Sequence, residues 1–304
     1  LLYNASAKGG KQMKRYSFTA LLCLIMTLLA ACGQQGTGSG TTGTQASPAA
    51  TTSASAPASS TAVEETGAAS GGLPNLNGRK VVIGTDATYP PMESVDRQTN
   101  QIVGFDVDMM NEVAKLINIQ PEFQNAAFDT IFTALQSKQF DAVVSSATIT
   151  DERKKIVAFS EPYIEVGQVV VVRSDSQITG AQDLANGAVV GVQTGTTGEE
   201  AAKTDAKVAD NNLKRYQTID LAFAELANNT VDAVVADSPT VANYVSQEQY
   251  KDKLKVVGEP FTTENYGIAV HQEDTELLNA INAAIEELKA NGTIDQLKQK
   301  YNIK

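Results

Sequence analysis

Four short stretches of this 304-residue chain carry side chains that could do chemistry. Thr148-Ile149-Thr150-Asp151-Glu152-Arg153-Lys154-Lys155 opens a helix. Thr150 suits the N-cap, and Asp151 and Glu152 suit the positive end of the helix dipole. Arg153 does not. A cation in a first helical turn is misplaced unless it reaches an anion there, and a guanidinium takes a carboxylate by two parallel hydrogen bonds. A solvated Arg153 is the plain alternative. Gly195-Thr196-Thr197-Gly198 stands between the strand Val189-Val190-Gly191-Val192 and Glu199-Glu200. Such strand–loop–helix junctions bind anions through backbone N–H groups. It lacks the Gly-Lys-Ser/Thr ending of a Walker loop, and a plain Thr-capped helix would read the same. Asp86 follows the first strand directly, and Tyr89 precedes two prolines. Asp86 could be a turn former, and Tyr89, like Phe128, could belong to the core. The fourth feature is a pair of strand ends, Ser145-Ser146-Ala147-Thr148 and Ala236-Asp237-Ser238.

Composition narrows what these groups could do. Lys plus Arg total 24 and Asp plus Glu 35, for a net charge of −11. A general nucleic-acid or anionic-membrane binder needs a basic surface instead. Two Cys and one His exclude a disulfide framework and most zinc sites, and His271 would have to serve a catalytic triad alone.

The elements that must hold these groups alternate. Val81-Val82-Ile83 reads as a strand, Phe105 to Ile117 as a helix, Glu122-Phe123-Gln124 as a strand, Ile131 to Leu135 as a helix and Ala142-Val143-Val144 as a strand. The alternation resumes with a strand at Val189-Val190, helices over Glu199–Lys203 and Ala222–Leu226, and a strand at Ala233-Val234-Val235. An amphipathic helix carrying Leu277, Ile281, Ile285 and Leu288 stops at Asn291-Gly292, and a last helix runs to about Tyr301. This is an α/β chain with mostly parallel sheets. It also repeats. Sliding it by 91 residues lays 128–147 on 219–238 with seven of twenty columns identical, Asp141-Ala142-Val143-Val144 on Asp232-Ala233-Val234-Val235 among them. Two copies of one unit suggest two similar lobes, although any helix–turn–strand tends to look like this. Ligands of open parallel sheets sit beyond the carboxyl ends of the strands. If the lobes face each other, a hydroxyl-rich edge at Ser145-Ser146 confronts the Asp237 carboxylate, and a small zwitterion would satisfy both.

The leading residues read as delivery. Lys14-Arg15 precede a twelve-residue apolar run, Phe18 to Leu29, too short to span a bilayer comfortably and suited to a signal-peptide core. Leu29-Ala30-Ala31-Cys32 resembles a bacterial lipobox, in which the Cys32 thiol takes a lipid; an ordinary secretory signal is the alternative. Residues 1–31 are thus expected to be a signal peptide, with 1–12 a misplaced start. Its removal takes away Lys8, Lys11, Lys14 and Arg15 and no acid, moving the net charge from −11 to −15. Residues 32–73 are expected to be the lipidated Cys and a disordered tether. Of the 39 residues 34–72, 33 are Gly, Ala, Ser, Thr or Pro, which cannot bury enough to offset ordering.

Residues 79–304 resemble the extracytoplasmic solute-binding proteins of polar amino-acid ABC transporters. The resemblance is carried by Gly84–Pro91, Gly104-Phe105-Asp106-Val107-Asp108, Phe128–Leu135, Thr148–Lys155, Phe159-Ser160-Glu161-Pro162-Tyr163, Gly191–Gly198, Asp232–Pro239 and Asn265–Val270. It implies a two-lobed clamshell of the type II periplasmic-binding-protein kind, each lobe a mostly parallel sheet flanked by helices. Lobe 1 would be 79–166 plus 262–304 and lobe 2 170–258, with hinges near Glu165–Gln168 and Gly258–Phe261. It also implies roles for the ligand-binding residues. Arg153, with Thr148, would take the α-carboxylate, and Thr196 and Thr197 would donate from the other lobe. Asp237 would take the α-ammonium with Ser146 assisting. Tyr89 and Phe128 would sandwich the side chain, and Asp86, Ser145 and Gln193 would contact its polar end. Asp86 beside Tyr89 resembles the arrangement in binding proteins for arginine, lysine, histidine and ornithine, in which a carboxylate pairs with the cation while aromatics stack on it; glutamine comes next. The implied partners are a free amino acid and a membrane permease, with a lipid anchor outside the cytoplasm, a monomer, no nucleic acid, no cofactor and no metal. The rivals are an exported dehydratase-like enzyme on the same scaffold, for which Asp86 is the obvious proton carrier, and a ligand-sensing receptor component.

Overall fold

The computed structural model describes residues 72–304. The expected signal peptide, Cys32 and nearly all of the expected tether lie outside the described residues. Among the described residues no helix is long and apolar enough to cross a membrane.

The chain begins with β1 (Arg79–Thr85), a small antiparallel meander of β2 (Thr88–Tyr89), β3 (Glu93–Val95) and β4 (Ile102–Val103), and then α1 (Phe105–Ile117). Next come β5 (Ile119–Asn125), α2 (Phe128–Gln136), β6 (Ala142–Val143), α3 (Asp151–Lys154), β7 (Ala158–Phe159), β8 (Ile164–Val166) and β9 (Gln168–Arg173). After β10 (Val190–Gln193) follow α4 (Thr197–Thr204), β11 (Leu213–Tyr216), α5 (Ile219–Ala227), β12 (Ala233–Asp237), α6 (Ser238–Ser246) and β13 (Leu254–Val257). The chain closes with β14 (Glu264–Tyr266), β15 (Ala269–Val270), α7 (Thr275–Ala290) and α8 (Thr293–Lys300).

These elements make two five-stranded sheets of one topology, β5-β1-β6-β15-β7 and β11-β10-β12-β9-β13. In each, four strands point one way and one, β15 or β9, runs against them. Both sheets are covered on both faces, so their strands read as continuous apolar runs rather than alternating ones. In β9, Val169 and Val171 join α5 and α6 on one side, while Val170 and Val172 join the cluster of Leu184 and Ala202 on the other. In the first sheet Val81 and Ile83 pack with α1 and α7, and Val82 packs toward α2. That core starts earlier than the expected edge at residue 79: Leu76 is buried in it and donates its N–H to the Ile117 carbonyl.

The internal repeat is structural. α2 and α5, and the starts of β6 and β12, are offset by the same 91 residues. The shared Asp does one job twice. The Asp141 carboxylate accepts from Val82 N–H at 2.8 Å, and the Asp232 carboxylate accepts from Val189 N–H at 2.9 Å. Each pins the turn before its strand to the neighbouring strand. Lys138 and Asn229, the equivalent turn residues, both adopt left-handed backbone, with φ 61° and 62°.

Gly104 sets the angle at which the meander enters α1. Its φ is +143°, and a Cβ there would lie 2.0 Å from the Met92 carbonyl oxygen. Gly104→Ala therefore combines backbone strain with a main-chain clash. It is expected to lower stability by about 3 kcal/mol or more, read by calorimetry as a melting temperature on the order of 10 °C lower; an unchanged melting point would contradict the clash.

Two segments connect the sheets. β8 and β14 pair antiparallel, and just beyond them the chain crosses at Gly167-Gln168 and at 259–262. The crossings are stitched together: Phe261 N–H donates to the Gln168 carbonyl and Gln168 N–H to Thr262 Oγ1, each at 2.9 Å. A Cβ on Gly167 would meet the Thr262 carbonyl oxygen at 2.4 Å, so only glycine lets them approach this closely.

The differences from the sequence reading are local. The helix opened by Thr150 is a single turn of four residues, and Val144 lies beyond β6. The meander, β7, β9, β11, β13, β15 and α6 lie outside the elements read from the sequence. Strands of two or three residues are too short to show a period, and the Val169–Val172 run abuts a segment read as hinge.

Candidate functional site

The carboxyl ends of β1 and β6 face those of β10 and β12, and between them lies a cavity of about 10 Å³. That is space for about one water molecule. Asp86, Tyr89, Glu93, Phe128, Ser145 and Ser146 line it from the first lobe, and Gln193, Thr196, Thr197 and Asp237 from the second. Nine of the eleven expected ligand-binding residues are therefore brought together; Thr148 and Arg153 stand beside the cavity rather than in its lining.

Asp86 and Gln193 occupy the same place in the two lobes. Gly84 pairs with Val143 as Gly191 pairs with Val234, and each side chain follows two residues later. They meet across the cleft, Gln193 Nε2 donating to Asp86 Oδ2 at 2.7 Å. Thr88 Oγ1 donates to the other oxygen at 2.8 Å, and the Asp86 N–H donates to Ser145 Oγ at 2.9 Å. Burial raises the Asp86 carboxyl above its ordinary value, only partly offset by these bonds.

Tyr89 belongs to the first lobe but packs in the second lobe's core with Ile219, Phe223 and Tyr244. Its O–H donates to Asp237 Oδ2, and Gln168 Nε2 donates to Asp237 Oδ1 at 2.8 Å. Asp237 is 5% exposed. Burial, reinforced by the nearby Glu264 charge, pushes its carboxyl up to about 7.

Arg153 donates along the cleft, Nη1 to the Thr148 carbonyl at 2.8 Å and Nη2 to the Gly195 carbonyl of the opposite lobe at 3.2 Å. Its guanidinium carbon lies 5.2 Å from the Phe128 ring centre and 4.7 Å from that of Phe132. Thr150 Oγ1 accepts from the Arg153 N–H, the expected N-cap. Burial lowers the guanidinium to about 10. A Cβ on Gly195 would lie 3.1 Å from Asp129 Cα, and Gln217 donates to Asp129 at 3.1 Å, so the lobes are in contact at this rim as well.

Four functional groups went unseen in the sequence. Glu93, 1% exposed, accepts from Ser145 Oγ at 3.3 Å and Ser146 Oγ at 3.1 Å. Asp106, fully buried, accepts from the Ser146 N–H at 2.7 Å and from the Tyr163 hydroxyl at 2.9 Å. It holds Ser146 in left-handed backbone, φ 47°, a costly conformation for a serine that persists only when fixed by its surroundings. Glu264 and Gln168 complete the set at the back of the cleft. Acids beside apolar residues, as in Met92-Glu93 and Phe105-Asp106-Val107, do mark burial; for Gln168 and Glu264 no local signal existed.

Burial pushes Glu93 well above the ordinary carboxylate range and Asp106 up to about 6. Among the described residues, none of Asp86, Glu93, Asp106 and Asp237 is in an ion pair. A carboxyl raised by folding holds its proton where the unfolded chain has lost it. Stability is therefore full below the unfolded value near 4 and declines as pH rises through the folded values. The ligand-free protein is expected to melt progressively lower from about pH 5 to pH 8, and Asp237→Asn to flatten that decline; a melting point rising over this range would contradict it.

Residues 81–304 match the model of the bacterial extracellular solute-binding proteins, family 3. The chain belongs to this family. A probable histidine-binding protein of Neisseria gonorrhoeae is 38% identical over 229 residues, covering 75% of this chain and 85% of the relative. Among solved structures, an ancestral arginine-binding protein bound to arginine is 42% identical, with TM-score 0.67 over 73% of this chain and 97% of that one. An ancestral arginine-binding protein bound to glutamine gives 41% and 0.68 over 74% and 98%. An ancestral amino-acid-binding protein described as a precursor of cyclohexadienyl dehydratase gives 38% and 0.67 over 73% and 95%. The two-lobed α/β architecture is that of this family of extracellular solute-binding proteins.

Proposed function

We propose that this solute-binding protein takes one free amino acid with a cationic side chain into the cavity and presents it to an ABC permease for import. The observation that carries this reading is the convergence of three carboxyl side chains, Asp86, Glu93 and Asp237, on one cavity between the lobes whose lining contains no Lys, Arg or His. Two cationic groups on one ligand, an α-ammonium and a side-chain cation, suit such a lining. Asp237 takes the ammonium. Asp86 and Glu93 face the side-chain cation, with Tyr89 and Phe128 on its flanks. Arg153, Thr148 and the start of α4 at Thr197 receive the α-carboxylate. The names of the histidine-binding relative and of the ancestral arginine-binding protein support the basic class. Glutamine is the second reading, favoured by the structure of an ancestral arginine-binding protein bound to glutamine.

Contacts divided between the lobes make the closed form bind far better than the open one, and differential affinity is what shifts the population toward closure. The closed shape is then what a permease recognises. Cys32 carries the lipid that anchors the monomeric protein outside the cytoplasm. The dehydratase reading draws on the precursor's description, yet the cavity offers no His and its acids are held by hydrogen-bond donors; binding without turnover fits better.

A calorimetric screen of the protein against the twenty amino acids and ornithine tests the reading. Arginine, lysine, histidine or ornithine is expected to bind one to one and raise the melting point, with no product formed. Stabilisation by glutamate or aspartate alone would overturn it. An ammonium needs Asp237 ionised, so below its value of about 7 affinity is expected to fall. The loss is about tenfold per pH unit, and titrations at successive pH values check it.

A further inference from the structure

Two of the side-chain hydroxyls assigned to a ligand carboxylate are already engaged by a carboxylate of the protein. Thr148 Oγ1 donates to Glu264 Oε2 at 2.8 Å, and Thr197 Oγ1 donates to the same oxygen at 2.6 Å. A hydroxyl has one proton. With both protons on Glu264, the two hydroxyl oxygens, 3.2 Å apart, have only lone pairs left for another partner. Lone pairs repel a carboxylate.

The position of Glu264 gives this arrangement reach. Thr148 lies in the first lobe and Thr197 begins α4 of the second, while Glu264 opens β14, beside the crossings between the sheets. Its other oxygen, Oε1, accepts from Thr262 Oγ1 at 2.9 Å, and Thr262 Oγ1 in turn accepts from the Gln168 N–H. Gln168 closes the circuit, its Nε2 reaching Thr197 Oγ1 at 3.3 Å and Asp237 at 2.8 Å. One carboxylate thus ties both lobes to both crossings. Arg153, the cation that feels Glu264, directs its two assigned hydrogen bonds to main-chain carbonyls instead.

We propose that Glu264 is a built-in competitor for the ligand's α-carboxylate. It holds the Thr148–Thr197 pair in the ligand-free protein and must withdraw, or be repelled, when an amino acid seats against Arg153. Two carboxylates cannot share one hydroxyl pair without strong like-charge repulsion. An interaction made only without ligand weakens binding by its full worth. Glu264 therefore sets affinity lower than the cavity alone would give, which suits a carrier that must release its cargo, and it draws the ligand-free lobes together. This rests on the amino-acid reading above.

Glu264→Ala and the isosteric Glu264→Gln test it, by calorimetric titration with L-arginine and by small-angle scattering of the ligand-free proteins. Both variants are expected to bind arginine several-fold more tightly than wild type, and ligand-free Glu264→Ala to show a larger radius of gyration. A purely structural role predicts the opposite sign, weaker binding with a lower melting point. Unchanged or weakened affinity in a folded Glu264→Gln protein overturns the competitor. Wild-type titration tests the amino-acid reading separately. If wild type bound no amino acid, scattering alone would decide, and an unchanged radius in Glu264→Ala would overturn the tie between lobes.

Discussion

Asp237→Asn is expected to bind L-arginine at least 100-fold more weakly than wild type, on the order of the 2–5 kcal/mol that truncating one partner of a buried charge pair removes. An α-ammonium that leaves water for this cavity needs a full negative charge, and an amide supplies only a dipole. The fold should survive the change. Asn is isosteric, and the Tyr89 hydroxyl can still donate to its carbonyl oxygen. Its new N–H group replaces the oxygen that accepts from Gln168 Nε2, so the Gln168 amide turns over and accepts through Oε1, which is otherwise buried without a partner among the described residues, giving up the long bond to Thr197. Because burial already disfavours the charged form of Asp237, the variant should melt no lower than wild type above pH 7 when ligand-free. Titration calorimetry with scanning calorimetry separates the two effects. Full-affinity binding would remove Asp237 from the site, and a collapsed melting point would make its role structural.

Arg153→Ala has the next largest expected effect, again on the order of 100-fold in affinity, since a charge-assisted and potentially bidentate partner of the α-carboxylate is lost. Its stability consequence differs in sign from that of Asp237→Asn. The guanidinium lies over Phe128 and Phe132 and donates to the Gly195 carbonyl of the opposite lobe. Truncation leaves two rings less covered and one interlobe bond unmade, a loss of about 1–2 kcal/mol. Arg153→Lys should fall between, keeping charge but not the planar fork. Equal affinities for the alanine and lysine variants would show that geometry, not charge, carries the contact.

The fold was legible wherever a repeat or a period existed. Asp141-Ala142-Val143-Val144 and Asp232-Ala233-Val234-Val235 announced two copies of one unit, and the structure shows why both begin with Asp: each carboxylate accepts a backbone N–H of the neighbouring strand segment and so pins the turn before its own strand. The site was legible where a residue looked wrong for its local role. Arg153 in a first helical turn and the hydroxyls after the sheet strands did converge on the cleft. Glu93, Asp106, Gln168 and Glu264 escaped because their roles are set by partners far along the chain. Glu93 meets serines more than fifty residues away, and Glu264 meets threonines in both lobes. Nothing in Thr262-Thr263-Glu264 distinguishes a bridging carboxylate from a solvated one until the two crossings are brought side by side.

A crystal structure of the protein grown with L-arginine tests the central claim most directly. Expected is one arginine between the lobes, its ammonium on Asp237, its carboxylate on Arg153 and the Thr197 junction, and its guanidinium between Tyr89 and Phe128 toward Asp86 and Glu93. Arginine seated outside that cavity, or reversed so that its carboxylate faced Asp86, would contradict it.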